Sequence, residues 1–172
     1  MAEWTGQVAF IQITPTATEK LVSVSEAQAV AGKGLEGDRY FKNIGTFSNK
    51  PGRGRQITLI ELESLEALKR DLKIDFEPAQ TRRNIVTRAV PLNHLVDQQF
   101  RLGHEVILQG VRLCEPCDHL ERLTFKGVAE ALLHRAGLRA DIITGGTLRV
   151  GDTINPVAPV GTNQRLHTMG NS

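Results

Sequence analysis

The chain of 172 residues carries two cysteines, Cys114 and Cys117, in the stretch G-V-R-L-C-E-P-C-D-H-L from Gly110 to Leu120. A thiolate is both a nucleophile and a soft metal ligand, so covalent or metal chemistry is to be sought here first. Val111 and Leu113 alternate at the period of a strand, and Pro116 has no amide proton to give to a ladder. The pattern predicts a strand that ends in a bend, with Cys117 on the bend and its thiol turned to a cavity. Arg112 and His119 favour a thiolate there, whereas Glu115 and Asp118 oppose it. In an unbroken strand residues 114 and 117 would point to opposite faces, because their separation is odd; a bend at Pro116 changes that.

Several chemistries suit such a pair. Both cysteines can be small buried hydrophobes. A zinc site needs about four ligands, and His104, His119 and His134 supplement one C-x-x-C pair without any H-x-x-x-H spacing. A dithiol redox pair ordinarily opens a helix within a βαβ pattern, whereas this pair follows a strand and contains a proline. A single functional thiolate at Cys117, as nucleophile or soft-metal ligand, needs only the bend.

Groups able to hold an anion lie elsewhere. Thr81-Arg82-Arg83-Asn84 places two guanidiniums and an amide before a β-branched run, which suits bidentate recognition of phosphate or carboxylate; a solvated basic edge is the alternative. Arg53 and Arg55 bracket Gly54, and Arg139 adds a further cation. The loop Gly32-Lys33-Gly34-Leu35-Glu36-Gly37-Asp38-Arg39-Tyr40 is glycine-rich, which points to positive φ or a close backbone approach. It has neither the G-K-[ST] of a Walker loop nor the G-x-G-x-x-G spacing. The alternative is an ordinary turn with a solvated Asp38–Arg39 pair.

The elements that must position these groups read as short strands with glycine turns. Gly6 to Thr14 is rich in β-formers and stops at Pro15, and Leu21 to Val24 and Gln28 to Ala31 are shorter β-type pieces. Lys42 to Arg55 is a long polar loop. Gln56 to Ile60 is a strand that runs into a helix over 59–72, with Thr58 and Glu61 as a capping box and Leu62, Leu65, Leu68 and Leu72 on one core face. A second helix is predicted over 124–136 from Phe125, Val128 and Leu132, with Gly137 as its C′ residue. Gly137 to Val150 reads as strand, Gly145-Gly146 turn, strand. Arg101 to Val106 and Arg149 to Ile154 share the pattern R-[LV]-G-[HD]-x-[VI], a repeated turn into a strand. The fold class is therefore mainly β: a closed β-barrel with about two inserted helices, in one domain over 1–156, and a loose tail over 157–172.

Composition narrows the function. Aromatic residues make up 5% of the chain and the net charge is +2, which argues against base-stacking platforms and against wholesale phosphate-backbone binding, hence against nucleic acid. No apolar run has the length of a membrane span, and the N-terminus lacks the basic region of a secretion signal. Two cysteines are too few for a disulfide framework. A cytoplasmic protein acting on a small molecule is expected.

Three stretches together resemble a MOSC domain, the module named after the C-terminal part of molybdenum cofactor sulfurase: Gly34-Leu35-Glu36-Gly37-Asp38, the Pro116-Cys117 turn, and Gly145-Gly146 followed by Arg149-Val150-Gly151-Asp152. Arg55 to Glu61 and Arg83-Asn84-Ile85 fall where that family has comparable segments, so the resemblance spans roughly residues 6 to 155. It implies a mixed barrel like that of pyruvate kinase, and binding of the molybdenum cofactor (molybdopterin) beside a cysteine at a strand end. Cys117 matches that position better than Cys114, because the family cysteine often follows proline. In some relatives this cysteine ligates molybdenum and the enzyme reduces N-hydroxylated compounds with electrons from a separate donor protein; in others it is proposed to carry a persulfide. The family is also associated with pyridoxal phosphate. The residues implied for the cofactor are Gly37, Asp38, Arg55, Arg82, Arg83, Asn84 and Arg139, with Cys117 as catalytic residue and metal ligand.

Overall fold

A computed structural model describes residues 3–42 and 52–158. Most of the polar loop after Lys42 and all of the tail from 159 lie outside them. Among the described residues eleven strands form two sheets: β1 (Gly6–Ile13), β2 (Val22–Val24), β3 (Glu26–Val30), β4 (Gly34–Leu35), β5 (Ile57–Glu61), β6 (Ile85–Arg88), β7 (Gln99–Leu102), β8 (Val106–Leu113), β9 (Leu138–Thr144), β10 (Gly146–Arg149) and β11 (Thr153–Pro156). The larger sheet runs β11-β7-β8-β9-β5-β6-β1-β2, and pairing of β11 with β1 closes seven of its strands into a barrel. Within it β5 and β6 are parallel and the other pairs antiparallel, so the barrel is mixed, as expected.

Alternation explains which faces are inside. In β7 and β8, Phe100, Leu102, Val106 and Leu108 are fully buried, while the residues between them are at least partly exposed. This is the period-two pattern of strands with one wet face. Strand β5 is buried on both faces, because helices cover its outer side. Ile60 and Val86 face outward against α1 (Leu62–Leu72), α2 (Asp118–Leu123) and α3 (Val128–Ala131), in a second core with Leu68, Leu120 and Leu132. Phe76 and Phe125 meet edge to face at 5.6 Å within it.

Several local expectations are corrected. The helix expected over 124–136 is broken: α2 begins earlier, and Gly127 with φ of 93° separates it from α3. Phe125, Val128 and Leu132 still face one core, which is why the periodicity was present without a continuous helix. Gly137 has the positive φ expected of it, but α3 has ended by then. Its role is a close pass over the Leu59 carbonyl, which a Cβ would overlap. Thr58 and Glu61 form no capping box: Thr58 lies in β5, Glu61 itself precedes the helix, and its carboxylate accepts the Leu92 amide at 2.8 Å. Leu72 is 50% exposed, whereas Leu65 and Leu68 are buried. Gly145-Gly146 makes no hairpin, because β10 leaves β9 and pairs with β3 in the sheet β10-β3-β4. The two R-x-G turns do precede strands, and they touch: the Gly103 amide donates to the Thr153 carbonyl at 2.8 Å.

Asn84 is sealed inside this framework. Its Oδ1 accepts from the amide and the hydroxyl of Thr58, both at 3.1 Å, and its Nδ2 donates to the Gln12 carbonyl at 3.2 Å, so one side chain ties β1 to β5 at the start of β6. Asn84→Ala strands these buried partners. The expected loss is about 2–4 kcal/mol, from roughly 1–3 kcal/mol per unsatisfied buried group. Urea unfolding followed by circular dichroism measures it, and a loss below about 0.5 kcal/mol would show that the network does not hold the wall together.

Candidate functional site

Strand β8 ends, and β9 begins, at the segment that carries the cysteines. After the last ladder pair, Leu113 with Leu138, the Cys114 amide still donates to the Gly137 carbonyl at 2.7 Å. Cys114 is 2% exposed. The Glu115 carboxylate accepts the His134 amide at 3.2 Å and lies 3.3 Å from His134 Nδ1. β8 ends at Leu113, before Pro116 is reached, and Cys117, with extended φ and ψ, becomes the residue that opens α2, its carbonyl accepting the Glu121 amide. Cys117 is exposed, and both thiols are free.

Both cysteines border one cleft. Its other walls are Ala17, Arg39, Tyr40, Arg82, Arg83, Glu115, His119, Leu120 and Arg139, and its volume is about 40 Å³. That is room for one or two water-sized groups, so the cleft takes the end of a ligand and not its body. A groove of about 690 Å³ adjoins it at Arg82, lined also by Phe10, Lys20, Glu77, Pro78 and Leu123. The turn at 115–116 overrides the odd spacing, which placed residues 114 and 117 on opposite faces.

The cleft is cationic, and each cation is held from behind. Arg39 Nη1 donates to Asp38 Oδ1 at 3.1 Å with both side chains almost out of water, and Arg39 stacks over the Tyr40 ring at 4.4 Å. Arg82 donates to the carbonyls of Ala17 at 2.6 Å and Glu19 at 2.7 Å. Arg83 Nε donates to the Ala136 carbonyl at 2.9 Å, and among the described residues its terminal amino groups make no hydrogen bond. Burial, and next the Arg39 charge, lower the Arg82 pKa. Burial, then Arg139 and Arg112, lower that of Arg55, which sets these three guanidiniums close together. Gly54 enables that approach: its φ is 78°, its amide donates to Asp141 at 2.7 Å, and it packs on Val111 and Arg139. Arg53 is occupied with Asp141 at 3.3 Å.

Of the residues read from the sequence, the structure brings Cys117, Arg82, Arg83 and Arg139 to one cleft. Arg55 lies beside Arg139 without lining it. Asp38 sits one layer back, where its carboxylate takes Arg39 and the amides of Thr14 and Tyr40, so the Asp38–Arg39 pair is buried and not solvated. Gly37 is an exposed turn residue with φ of 85° against Ile13, and Asn84 is a barrel tie. Arg39 and Tyr40 were missed as lining residues, whereas His119 was read beside the thiols and does line the cleft. Arg39 and Tyr40 directly follow the G-L-E-G-D motif, and that adjacency was the available signal.

The fold and site define a closed mixed barrel with a cysteine at a strand end and arginines around it, and comparison with known proteins gives the family. The MOSC domain matches residues 36–155, and the chain belongs to that family. The YuaD protein of Bacillus subtilis has the same fold, with a TM-score of 0.74 at 18% identity over 90% of this chain and 96% of that one. YiiM of Geobacillus stearothermophilus aligns with a TM-score of 0.66 at 13% identity over 88% of this chain and 75% of its own. YiiM of Escherichia coli gives 0.63 at 18% over 94% and 72%. A comparison with curated protein sequences finds no match.

His119 supplies a pH test of this geometry. Burial, then the charges of Arg82, Arg122 and Arg39, lower its pKa below the usual histidine value. The unfolded chain therefore binds the proton more tightly, and stability falls as pH drops from about 6.5, the unfolded value, through the lower folded one. Wild type is expected to lose more stability than His119→Gln between pH 7.5 and pH 5. Urea midpoints at the two pH values check this, and identical losses would mean that His119 does not feel the cleft's cations.

Proposed function

We propose that the chain binds the molybdenum cofactor and acts as a reductase of N-hydroxylated compounds, with Cys117 as the protein ligand to the metal. The observation that carries the reading is an exposed thiol bordering a cleft that Arg39, Arg82, Arg83 and Arg139 also line. The donor set fits the group. A soft thiolate suits molybdenum, and a dithiolene-bound metal leaves few positions for protein to fill. The phosphate of the cofactor needs charged hydrogen bonds, and the terminal amino groups of Arg83, with Arg139 and Arg55 behind, are a stock of them.

When bound, the metal supplies two-electron chemistry, and the overall conversion takes two electrons and two protons to turn N–OH into N–H and water. The electrons come from a separate donor protein. Cys117 Sγ would hold the metal as thiolate. His119 borders the same cleft as Cys117 and is the imidazole placed to give a proton to the departing oxygen of the substrate. Arg39 and Arg82 keep the cleft positive without moving, because Asp38 and the carbonyls of residues 17 and 19 fix them.

A second reading has one observation in its favour: the cleft's volume suits a single sulfur atom. Cys117 would then hold a persulfide for transfer. Metal analysis of protein from a host that makes the cofactor separates the two. Stoichiometric molybdenum supports the reductase, and cyanide-labile sulfur without metal supports the carrier.

Cys117→Ser is expected to fold and to lose the metal or the labile sulfur, since a protonated hydroxyl is a poor soft ligand. Cys114→Ser should keep most of it. Both are assayed beside circular dichroism, and the reverse ranking in folded proteins would sink the role given to Cys117. Arg83→Ala should weaken cofactor retention by about 1.5–3 kcal/mol, the range for a hydrogen bond to a charged group. Unchanged retention removes Arg83 from the site.

A further inference from the structure

We propose that Cys114 and Cys117 form a redox-active dithiol that reacts with small organic disulfides, with Cys117 as the attacking thiolate and Cys114 as the resolving thiol. The inference goes beyond the cofactor reading and does not require it.

Burial assigns the roles. Cys117 is exposed and Cys114 is 2% exposed, so an incoming disulfide meets Cys117 first. Both border the same cleft, with only Glu115 and Pro116 between them. The segment is pinned on both sides: the Cys114 amide is on the Gly137 carbonyl, Glu115 is on His134, and the Cys117 carbonyl takes the first turn of α2. A short segment anchored in this way keeps both thiols on one cleft, which raises the effective concentration of the second far above that of a thiol in solution. The guanidiniums of Arg39, Arg82, Arg83 and Arg139 suit a disulfide that carries carboxylates.

The steps balance. The Cys117 thiolate attacks one sulfur of RSSR, a mixed disulfide forms, and RS⁻ leaves with a solvent proton. Cys114, giving its proton to solvent, attacks Cys117 Sγ and expels the second RS⁻. Two electrons pass from the dithiol to RSSR, giving one Cys114–Cys117 disulfide and two RSH. In that state Cys117 has no thiolate to offer to metal or sulfur, so the thiol poise of the surroundings controls the site.

The test uses the full chain, purified from a host that does not make the molybdenum cofactor, reduced, desalted and then incubated with oxidised glutathione. Trypsin releases both thiols in one peptide, 113–122. The expected result is a transient single adduct on Cys117, followed by peptide 113–122 lighter by two hydrogens and free of adduct. In Cys114→Ala the adduct on Cys117 should persist, and in Cys117→Ala residue 114 should stay a free thiol while the protein is native. Should Cys114→Ala fail to fold, the wild-type peptide map alone decides. A stable wild-type adduct with Cys114 still free, first reaction at Cys114, or cross-linking only between chains would overturn the proposal. Molybdenum content, measured separately on cofactor-loaded protein, tells failure of this inference from failure of the cofactor reading.

Discussion

The buried pair of Asp38 and Arg39 is the contact on which the cleft depends. The two side chains are 1% and 3% exposed. An ion removed from water costs several kcal/mol even after relaxation, so neither charge is tolerable there alone, and removal of one partner from such a pair typically costs about 3–5 kcal/mol. The pair is also a junction. Asp38 takes the amide of Thr14 just beyond β1, and Arg39 reaches the carbonyl of Arg82 just before β6. The glycine-rich loop is thereby locked to two barrel strands, and Arg39 meets the thiol cleft in one orientation.

The remaining arginines follow the same logic. Guanidiniums crowded together repel, yet Arg39, Arg82, Arg83 and Arg139 line a space of about 40 Å³. They are tolerated because much of their hydrogen-bonding capacity goes to main-chain carbonyls that need donors: residues 17 and 19 for Arg82, 136 for Arg83, and 82 for Arg39. Arg39, Arg82 and Arg83 are thus structural ties first. What the ties leave over is a net positive field in the cleft, which an anion relieves and another cation worsens.

The barrel strands were legible because each has a local signature. Gly6 to Ile13 is bounded by Pro15, β8 alternates up to Leu113, and β5 is an apolar run before a leucine stripe. What failed depends on partners distant in sequence. Gly145-Gly146 reads as a hairpin turn in isolation, but Gly145 passes so close to the Ala29 carbonyl that it marks a departure toward β3. The break at Gly127 cannot be seen in a periodicity that continues across it. Among polar residues, Asn84 and Arg83 look alike in sequence as ligand-binding candidates, yet Asn84 spends its amide on Thr58 and Gln12 while Arg83 keeps its terminal groups for the cleft. Sequence gives the donor, and only tertiary packing says whether the backbone has already used it.

The location of the site follows from the same packing. The barrel interior is filled by residues such as Phe100, Leu102, Leu108, Ile57, Leu59 and Ile154, all completely buried, so it has no room for a ligand. Chemistry must sit where strands leave the barrel but remain rigid. The end of β8 does this: its pairing with β9 continues one rung beyond Leu113 and Leu138, through Cys114 and Gly137, before the chain bends. Glycine at 137 permits that rung, because any side chain there would strike the Leu59 carbonyl of β5. One thiol is then held at the last rung under cover and the other is carried past the bend into solvent. A longer ladder would have put both on strand faces, and an earlier bend would have exposed both. Ending the ladder between Cys114 and Pro116 is therefore what makes the two sulfurs chemically unequal.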